Sequence, residues 1–161
     1  MAAVIVRSAR ASDAAAIMAL WNEVIDNTAI TFTTAHKTCE SISADIAARG
    51  ACFQVAEADG FLGFATCFPF RSGPGYRFTM EHSVMLVPDA RGHGVGRALM
   101  TALEAAARGQ GAHSLFAGVS GENPEGVAFH ARIGFAEVAR LPEVGHKFGR
   151  WMDLVLMQKF L

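Results

Sequence analysis

Apolar residues recur with the period of a helix in two segments of the chain. After Ser12-Asp13, which offers an N-cap and a first-turn acid, an i, i+3, i+4, i+7 spacing predicts an amphipathic helix. Its apolar stripe consists of Ile17, Leu20, Trp21 and Val24. A second stripe consists of Val95, Leu99, Ala102, Leu103 and Ala106. Shorter helices are predicted over residues 41–49 and from Asn123-Pro124 to about residue 133, since Asn and Pro favour the first helical positions.

Alternating or continuous apolar runs predict the strands, at residues 3–7, 52–58, 61–70, 78–87, 114–119, 135–139 and 152–160. Asp59-Gly60 separates the second and third runs and predicts a tight hairpin. The Thr-rich stretch 27–39 fits neither a regular helix nor a buried strand. One strand, glycine loop, helix and strand unit lies among these runs, so the pattern predicts an α+β fold with a mixed, mostly antiparallel sheet.

Length and charge narrow the function classes. The chain has 161 residues and a formal net charge of -1, with 52% hydrophobic residues and no run of Lys or Arg. This length suits one domain over residues 1–161. Without a basic patch there is no electrostatic footprint for nucleic acid or for an anionic membrane surface. The partners predicted are therefore small molecules, with no nucleic acid and no membrane.

Segments for export, membrane insertion or metal binding are also missing from the pattern. The longest uncharged apolar stretch, 61–70, is far shorter than a membrane span. The first ten residues lack the pattern of an export signal. The three cysteines, Cys39, Cys52 and Cys67, are widely spaced and suit neither a disulfide framework nor a zinc site. The sequence predicts a cytoplasmic protein with reduced cysteines and no metal.

The segment from Arg91 to Arg97, RGHGVGR, lies between a predicted strand and a predicted helix. Its glycines let backbone N–H groups turn toward one point, and the start of the helix adds free amides and a positive dipole end. This combination predicts a phosphate or pyrophosphate site, and the alternative is an ordinary tight turn. A Walker loop is excluded because the Gly-Lys-Ser/Thr ending is absent, and the antiparallel surroundings disfavour a dinucleotide fold.

Four motifs in order resemble the GNAT N-acetyltransferases, and within them the phosphinothricin and methionine sulfoximine acetyltransferases. They are TMEHSV at 79–84, the signature Arg91, Gly94 and Gly96, then Phe129-His130 with Gly134-Phe135, and VGHKFGRWMD at 144–153. The resemblance covers essentially the whole chain. It implies a GNAT fold with a twisted, mostly antiparallel sheet of about seven strands and about four helices, and acetyl-CoA between splayed central strands.

The resemblance also implies the cofactor contacts. The pyrophosphate of acetyl-CoA would be held by backbone amides of residues 92–97, and the pantetheine arm by Asn123. The residues implied to bind acetyl-CoA are Leu86, Val87, Arg91, Gly92, His93, Gly94, Val95, Gly96, Arg97 and Asn123. Gly126 and Ala131 depart from the family, where a small hydroxyl residue and an acidic residue are common at these positions.

Acetyl transfer to an amine requires a group that removes a proton, because about 1% or less of an aliphatic ammonium is neutral at pH 7. Glu81 is the candidate base, directly or through a water, and the alternative is a solvated strand carboxylate. His82 points to the opposite face of a regular strand and is interpreted as structural. His130 takes the place of a family Tyr that protonates the leaving thiolate, and the alternative is a packed helical histidine.

Candidate substrate contacts lie in three other segments. Arg71 and Arg77 bracket a Gly/Pro loop before the Glu81 strand, and either could pair with a carboxylate or phosphinate; the alternative is that both are solvated. Further candidates for the wall of the acceptor pocket are Phe32, Lys147 and Trp151, although an aromatic side chain at such a place often belongs to the core.

The resemblance implies an enzyme that acetylates the α-amine of small amino-acid-like compounds such as phosphinothricin and methionine sulfoximine. Two alternatives remain open at this point. One is acetylation of another amine, such as a peptide N-terminus or a polyamine. The other is a non-catalytic acyl-CoA-binding module. The family commonly forms homodimers, so a homodimer is expected.

Overall fold

A seven-stranded sheet forms the centre of the computed structural model, which describes residues 2–161. The strands are β1 (Ile5–Ser8), β2 (Phe53–Glu57), β3 (Phe61–Pro69), β4 (Thr79–Leu86), β5 (Ser114–Ser120), β6 (Ala136–Lys147) and β7 (Arg150–Phe160). The helices are α1 (Ala14–Asn27), α2 (Cys39–Arg49), α3 (Val95–Gly109) and α4 (Pro124–Arg132). The strand order is β1-β2-β3-β4-β5-β7-β6, and only β4 and β5 run parallel. The mixed, mostly antiparallel sheet of seven strands with four helices agrees with the expectation from the sequence.

The two faces of the sheet carry separate hydrophobic cores. On β2 and β3, Val55 and Phe64 point to the face covered by α1 and α2, where the Trp21 and Phe64 rings lie 4.9 Å apart. Ala56 and Ala65 point to the opposite face, where they pack with the core of α3. The alternation of side chains along β2 and β3 thus sends Val55 and Phe64 to one helix layer and the small Ala56 and Ala65 to the other.

The sheet opens between β4 and β5. The two strands pair only where residues 79–82 of β4 lie beside residues 114–117 of β5. Beyond this point β4 stays paired with β3 as far as Leu86, and β5 stays paired with β7 as far as Ser120. The facing edges of β4 and β5 therefore separate, and this splay is the place where a ligand can enter the sheet.

Local capping sets the starts of the helices. Thr38 Oγ1 accepts from Ser41 N at 3.1 Å, and Thr38 N donates to Ser41 Oγ at 3.2 Å, so α2 begins two residues before the predicted position. Asn123 caps α4 as predicted, and its Oδ1 accepts from Gly126 N at 3.1 Å. Gly94, at φ +78°, supplies the left-handed conformation that turns the chain into α3.

The last hairpin is longer than the sequence pattern predicts. The predicted strands 135–139 and 152–160 are parts of β6 and β7, which close on a two-residue turn. Phe148 and Gly149 in this turn have φ values of +53° and +72°, the conformation of a type I′ turn. Most of β6 is exposed and its pairing with β7 shifts register twice, so no regular alternation marks it in the sequence.

Three further observations concern membrane crossing, metal binding and the state of the cysteines. Among residues 2–161, no helix combines the length and the apolar character that a bilayer crossing needs. Within that same range, no three His, Cys, Asp or Glu side chains are grouped as metal ligands. All three cysteines are free thiols, with Cys52 and Cys67 buried and Cys39 exposed.

Candidate active site

Two cavities meet where β4 and β5 separate. The first, of about 490 Å³, follows the glycine loop and the start of α3, and we call it the glycine-loop cavity. The second, of about 300 Å³, lies between β4, β5 and the 30–33 segment, and we call it the strand cavity. Their shared wall consists of Ile30, Val84, Met85, Asn123 and His130. A ligand in one cavity can therefore meet a ligand in the other at this wall.

The glycine loop forms the first cavity much as predicted. The predicted residues that line it are Leu86, Arg91, Gly92, Gly94, Val95, Gly96, Arg97 and Asn123. A Cβ on Gly96 would lie 3.0 Å from the Phe129 ring, so this position has little room for a side chain. The first N–H groups of α3 have no partner within the helix and are available to an anion at its start. Together with the guanidinium groups of Arg91 and Arg97, these N–H groups suit a pyrophosphate.

Two predicted cofactor contacts lie outside this cavity. Val87 does not line it, because its side chain packs into the cores and its N–H donates to Leu62 O at 2.9 Å. The His93 side chain is exposed and also does not line it. The contacts expected of Val87 and of the His93 backbone amide with acetyl-CoA therefore stay predictions.

Glu81 is the carboxylate of the strand cavity. It lies on β4 between Phe68 of β3 and Phe116 of β5, and its side chain is half-buried. A Cβ on Gly118 would lie 3.4 Å from Glu81 Oε2, so the glycine in β5 leaves space for the carboxylate. Burial raises the pKa of Glu81 above its usual value. A carboxylate with a raised pKa is a better proton acceptor than a solvated one.

A buried histidine pair lies next to this carboxylate. His82 Nε2 and His130 Nε2 are 2.9 Å apart, and His130 Nδ1 lies 2.7 Å from Gly126 O. Because a carbonyl only accepts, His130 Nδ1 carries a proton, and in the neutral pair His82 Nε2 donates to His130 Nε2. Burial lowers the pKa of His130, and it lowers that of His82 to about 3. Both rings are therefore neutral near pH 7, and the structural interpretation of His82 agrees with its burial.

The comparisons with known proteins place the chain in a family. Residues 6–156 match the acetyltransferase (GNAT) domain. The chain belongs to the GNAT acetyltransferase family. It is 38% identical to an L-amino acid N-acyltransferase of Escherichia coli, across 95% of this chain and 91% of that protein. It is 36% identical to the L-methionine sulfoximine/L-methionine sulfone acetyltransferase of Salmonella typhimurium, across 95% of this chain and 92% of that protein.

Two solved structures that contain acetyl-CoA share the fold. One, from Salmonella typhimurium, has a TM-score of 0.93 and 36% identity, and the match covers 99% of this chain and 94% of that one. The other is a GNAT phosphinothricin acetyltransferase of Sinorhizobium meliloti, with a TM-score of 0.91 and 28% identity across 98% of this chain and 88% of that one. The resemblance inferred from the motifs is confirmed, and this GNAT chain is an acetyltransferase.

Phe32 of this GNAT chain lines the strand cavity as predicted, whereas Lys147 does not line it. A Cβ on Gly145 would overlap the Phe32 ring, so the ring depends on a bare backbone at that point of β6. Lys147 is 3% exposed, and its Nζ donates to Thr28 O at 2.7 Å and to Thr31 O at 2.9 Å. The prediction that Lys147 forms the pocket wall is corrected: it anchors the segment that carries Phe32.

Arg71, Arg77 and Trp151 lie outside both cavities of this chain. The Arg71 guanidinium lies 5.5 Å from the Phe70 ring centroid, and that of Arg77 lies 4.5 Å from the Phe78 ring centroid. Trp151 is 61% exposed and packs edge-on against His146 on the outer hairpin. None of these three side chains lines the strand cavity of a single chain, and their contacts with the acceptor stay predictions.

Sequence reasoning missed several residues of the strand cavity, and Trp21 and Lys37 are two of them. Trp21 was interpreted only as core, and Lys37 lies in the irregular segment that carries no periodic signal. The mid-strand Gly118 was a usable signal of the space beside Glu81, since an isolated glycine in a strand often marks the close approach of another group.

Proposed function

We propose that this chain is a cytoplasmic enzyme that transfers the acetyl group of acetyl-CoA to the α-amine of small amino-acid-like compounds. The observation that carries the proposal is the half-buried Glu81 carboxylate in a small cavity that adjoins the glycine-loop cavity. Relatives named for L-amino acids and for L-methionine sulfoximine support the substrate class.

The residues of the glycine-loop cavity fit acetyl-CoA. The N–H groups after Gly94, with Arg91 and Arg97 at the cavity, suit its pyrophosphate. The splayed edge of β4 offers backbone groups to the pantetheine arm. Asn123 uses its Oδ1 as the cap of α4, and its amide lies beside both cavities. When bound, acetyl-CoA supplies the thioester that carries the transferred acetyl group.

Glu81 removes the proton that makes the acceptor amine nucleophilic. An α-ammonium in the strand cavity gives this proton to the carboxylate, directly or through a water. The neutral amine then forms the amide bond as the thioester carbon–sulfur bond breaks. The second proton of the amine ends on the CoA sulfur, so the balanced products are an N-acetyl compound, free CoA and one proton.

His130 lies at the shared wall, and the role of proton donor to the CoA sulfur stays a prediction. In the neutral pair its Nδ1–H is directed at Gly126 and its Nε2 accepts from His82. Donation from His130 therefore requires its Nε2 to release His82 and take up a proton. Until then the pair fixes the wall on which the two ligands meet.

The strand cavity favours an amino acid over the alternative acceptors. Its charged lining consists of one carboxylate, Glu81, and one ammonium, Lys37. A polyamine, which carries several positive charges, would need a site lined by acids. A volume of about 300 Å³ suits a compound of amino-acid size. The retained carboxylate also disfavours a non-catalytic acyl-CoA-binding module.

A thiol-release assay separates these alternatives. With acetyl-CoA as donor, we expect release of free CoA with L-methionine sulfone, L-methionine sulfoximine or phosphinothricin, and a much lower kcat/KM with spermidine or a short peptide. Binding of acetyl-CoA without thiol release for any amine would support the non-catalytic module. A preference for spermidine or the peptide would contradict the amino-acid assignment.

The proposal includes a homodimer formed through the β6–β7 hairpin. Six large apolar side chains of this hairpin are 36–66% exposed, namely Val138, Leu141, Val144, Phe148, Trp151 and Phe160. β6 is also an edge strand of the sheet. Exposed large apolar side chains on an edge strand are typical of an interface between copies.

Sedimentation equilibrium tests the dimer. We expect a mass of twice 17.1 kDa for the wild type and a monomer for Phe148→Asp, because a buried carboxylate would oppose association. Ile5→Asp is the control, since Ile5 is 57% exposed at the opposite edge of the sheet. A monomeric wild type, or equal behaviour of both variants, would contradict this interface.

A further inference from the structure

We propose that Lys37 binds the α-carboxylate of the amino-acid acceptor and so determines its specificity. This inference rests on the proposed function, because it assigns a binding partner to the carboxylate end of the acceptor in the same cavity. Lys37 belongs to none of the four motifs described above. It is the cationic side chain that the tertiary structure brings to the cavity wall.

The charges of the cavity suit the two ends of an α-amino acid. Among the described residues that line the strand cavity, Lys37 is the only permanently cationic side chain and Glu81 the only carboxylate. An α-amino acid carries an ammonium and a carboxylate on one carbon. With its ammonium toward Glu81, its carboxylate needs a cationic partner, and within this lining Lys37 supplies it.

The position of Lys37 is fixed by its neighbours. Asn22 of α1 holds the Lys37 backbone at both groups, since its Nδ2 donates to Lys37 O at 3.0 Å and its Oδ1 accepts from Lys37 N at 2.8 Å. The Lys37 ammonium lies 4.5 Å from the centroid of the Trp21 ring, which is buried in α1. A long flexible side chain is therefore held against one wall before a ligand arrives.

The Lys37 ammonium has no carboxylate partner in the part of the chain that the structure describes. Within residues 2–161, no Asp or Glu carboxylate forms a salt bridge with Lys37, whereas six ion pairs elsewhere use an Arg or another Lys. The Lys37 side chain is half-buried, so an anion that reaches it is only partly screened by water. Arg71 and Arg77 lie over aromatic rings outside the cavity and do not compete for the same anion in this chain.

Steady-state kinetics with a matched pair of acceptors tests the inference. The pair is L-methionine sulfone, or the amino acid with the highest kcat/KM in the thiol-release panel, and the α-carboxamide of that amino acid. For Lys37→Gln we expect KM for the acid to rise about 10- to 100-fold, as a lost charge-assisted hydrogen bond would give. The KM values for the carboxamide and for acetyl-CoA should stay within about twofold, and Lys37→Arg should recover most of the loss.

The control is Arg10→Gln, which removes the same charge from an exposed position outside both cavities. An equal rise in KM for the acid and the carboxamide would overturn the inference, because it would indicate a general effect on the cavity. An unchanged KM of Lys37→Gln for the acid would overturn the inference as well. If the wild type acetylates no α-amino acid at all, the proposed function fails together with this inference. Activity with an unchanged acid preference in Lys37→Gln overturns only the role of Lys37.

Discussion

Glu81→Gln is expected to lower kcat by about 10²- to 10⁴-fold while the affinity for acetyl-CoA stays unchanged. The amide is nearly isosteric with the carboxylate but cannot take a proton from the acceptor ammonium. Glu81 lines the strand cavity and not the glycine-loop cavity, so its substitution should change kcat without changing the affinity for acetyl-CoA. The measurements are steady-state turnover by thiol release and acetyl-CoA binding by calorimetry.

The pH profile gives a second readout of the same variant. Burial raises the pKa of Glu81, so wild-type kcat should fall on the acid side as this carboxylate becomes protonated, and that limb should be lost in Glu81→Gln. A raised pKa in the folded state means that the folded chain binds this proton more tightly than the unfolded chain. The free energy of unfolding therefore falls as the pH rises from the pKa of Glu81 in the unfolded chain to its raised pKa in the folded chain. At neutral pH the ionised Glu81 therefore opposes folding, and Glu81→Gln should raise Tm slightly.

The control for both readouts is Glu23→Gln, the same change on the exposed side of α1. It should alter neither kcat nor its pH dependence. Unchanged turnover of Glu81→Gln across the pH range, with intact acetyl-CoA binding, would exclude Glu81 as the base. A large loss of Tm in Glu81→Gln would instead indicate a structural role.

Lys147→Met is expected to lower the free energy of unfolding by about 2–3 kcal/mol and to raise KM for the acceptor. The Nζ of the buried Lys147 donates to Thr28 O and Thr31 O, and methionine would leave these two carbonyl groups of a half-buried segment without their donor. The segment that carries Phe32 would then lose its anchor beside the strand cavity. Urea denaturation and acceptor kinetics measure the two effects.

The same substitution at an exposed cation, Arg10→Met, should leave the free energy of unfolding within about 0.5 kcal/mol. KM for acetyl-CoA should be unchanged in Lys147→Met, because the glycine-loop cavity does not contain this residue. A variant that keeps wild-type stability and acceptor KM would show that the Lys147 hydrogen bonds do not order the segment.

Features that depend on neighbouring residues were predictable from the sequence. The glycine loop and the cap at Asn123 each lie in a few consecutive residues, and the structure places them as expected. The hairpin at Asp59-Gly60 is also present, but Ala58 joins its loop and the pairing shifts register at Glu57. The order of helices and strands was predictable for the same reason, since their periods are local. The Phe148-Gly149 turn was missed because Phe148 adopts a positive φ that its residue type does not suggest.

The composition of the acceptor pocket was not predictable in this way. Arg71 and Arg77 precede the Glu81 strand in sequence, yet aromatic neighbours hold them outside the cavity. Lys37 lies 44 positions before Glu81 in the printed sequence, and its place depends on Asn22 and on the Trp21 ring of α1. No pattern of spacing encodes a contact between an irregular segment and the face of a helix.

The sequence by itself determined the family motifs, the sheet-and-helix order and the loop that suits a pyrophosphate, because short-range periodicity and turn chemistry specify them. Only the tertiary structure decided that β4 and β5 separate after His82, since this depends on which distant strand each one pairs with. It also decided that Glu81 and Lys37 share a cavity and that His82 and His130 form a pair. These arrangements arise from packing between segments far apart in the chain, where charge, burial and hydrogen bonding are set together.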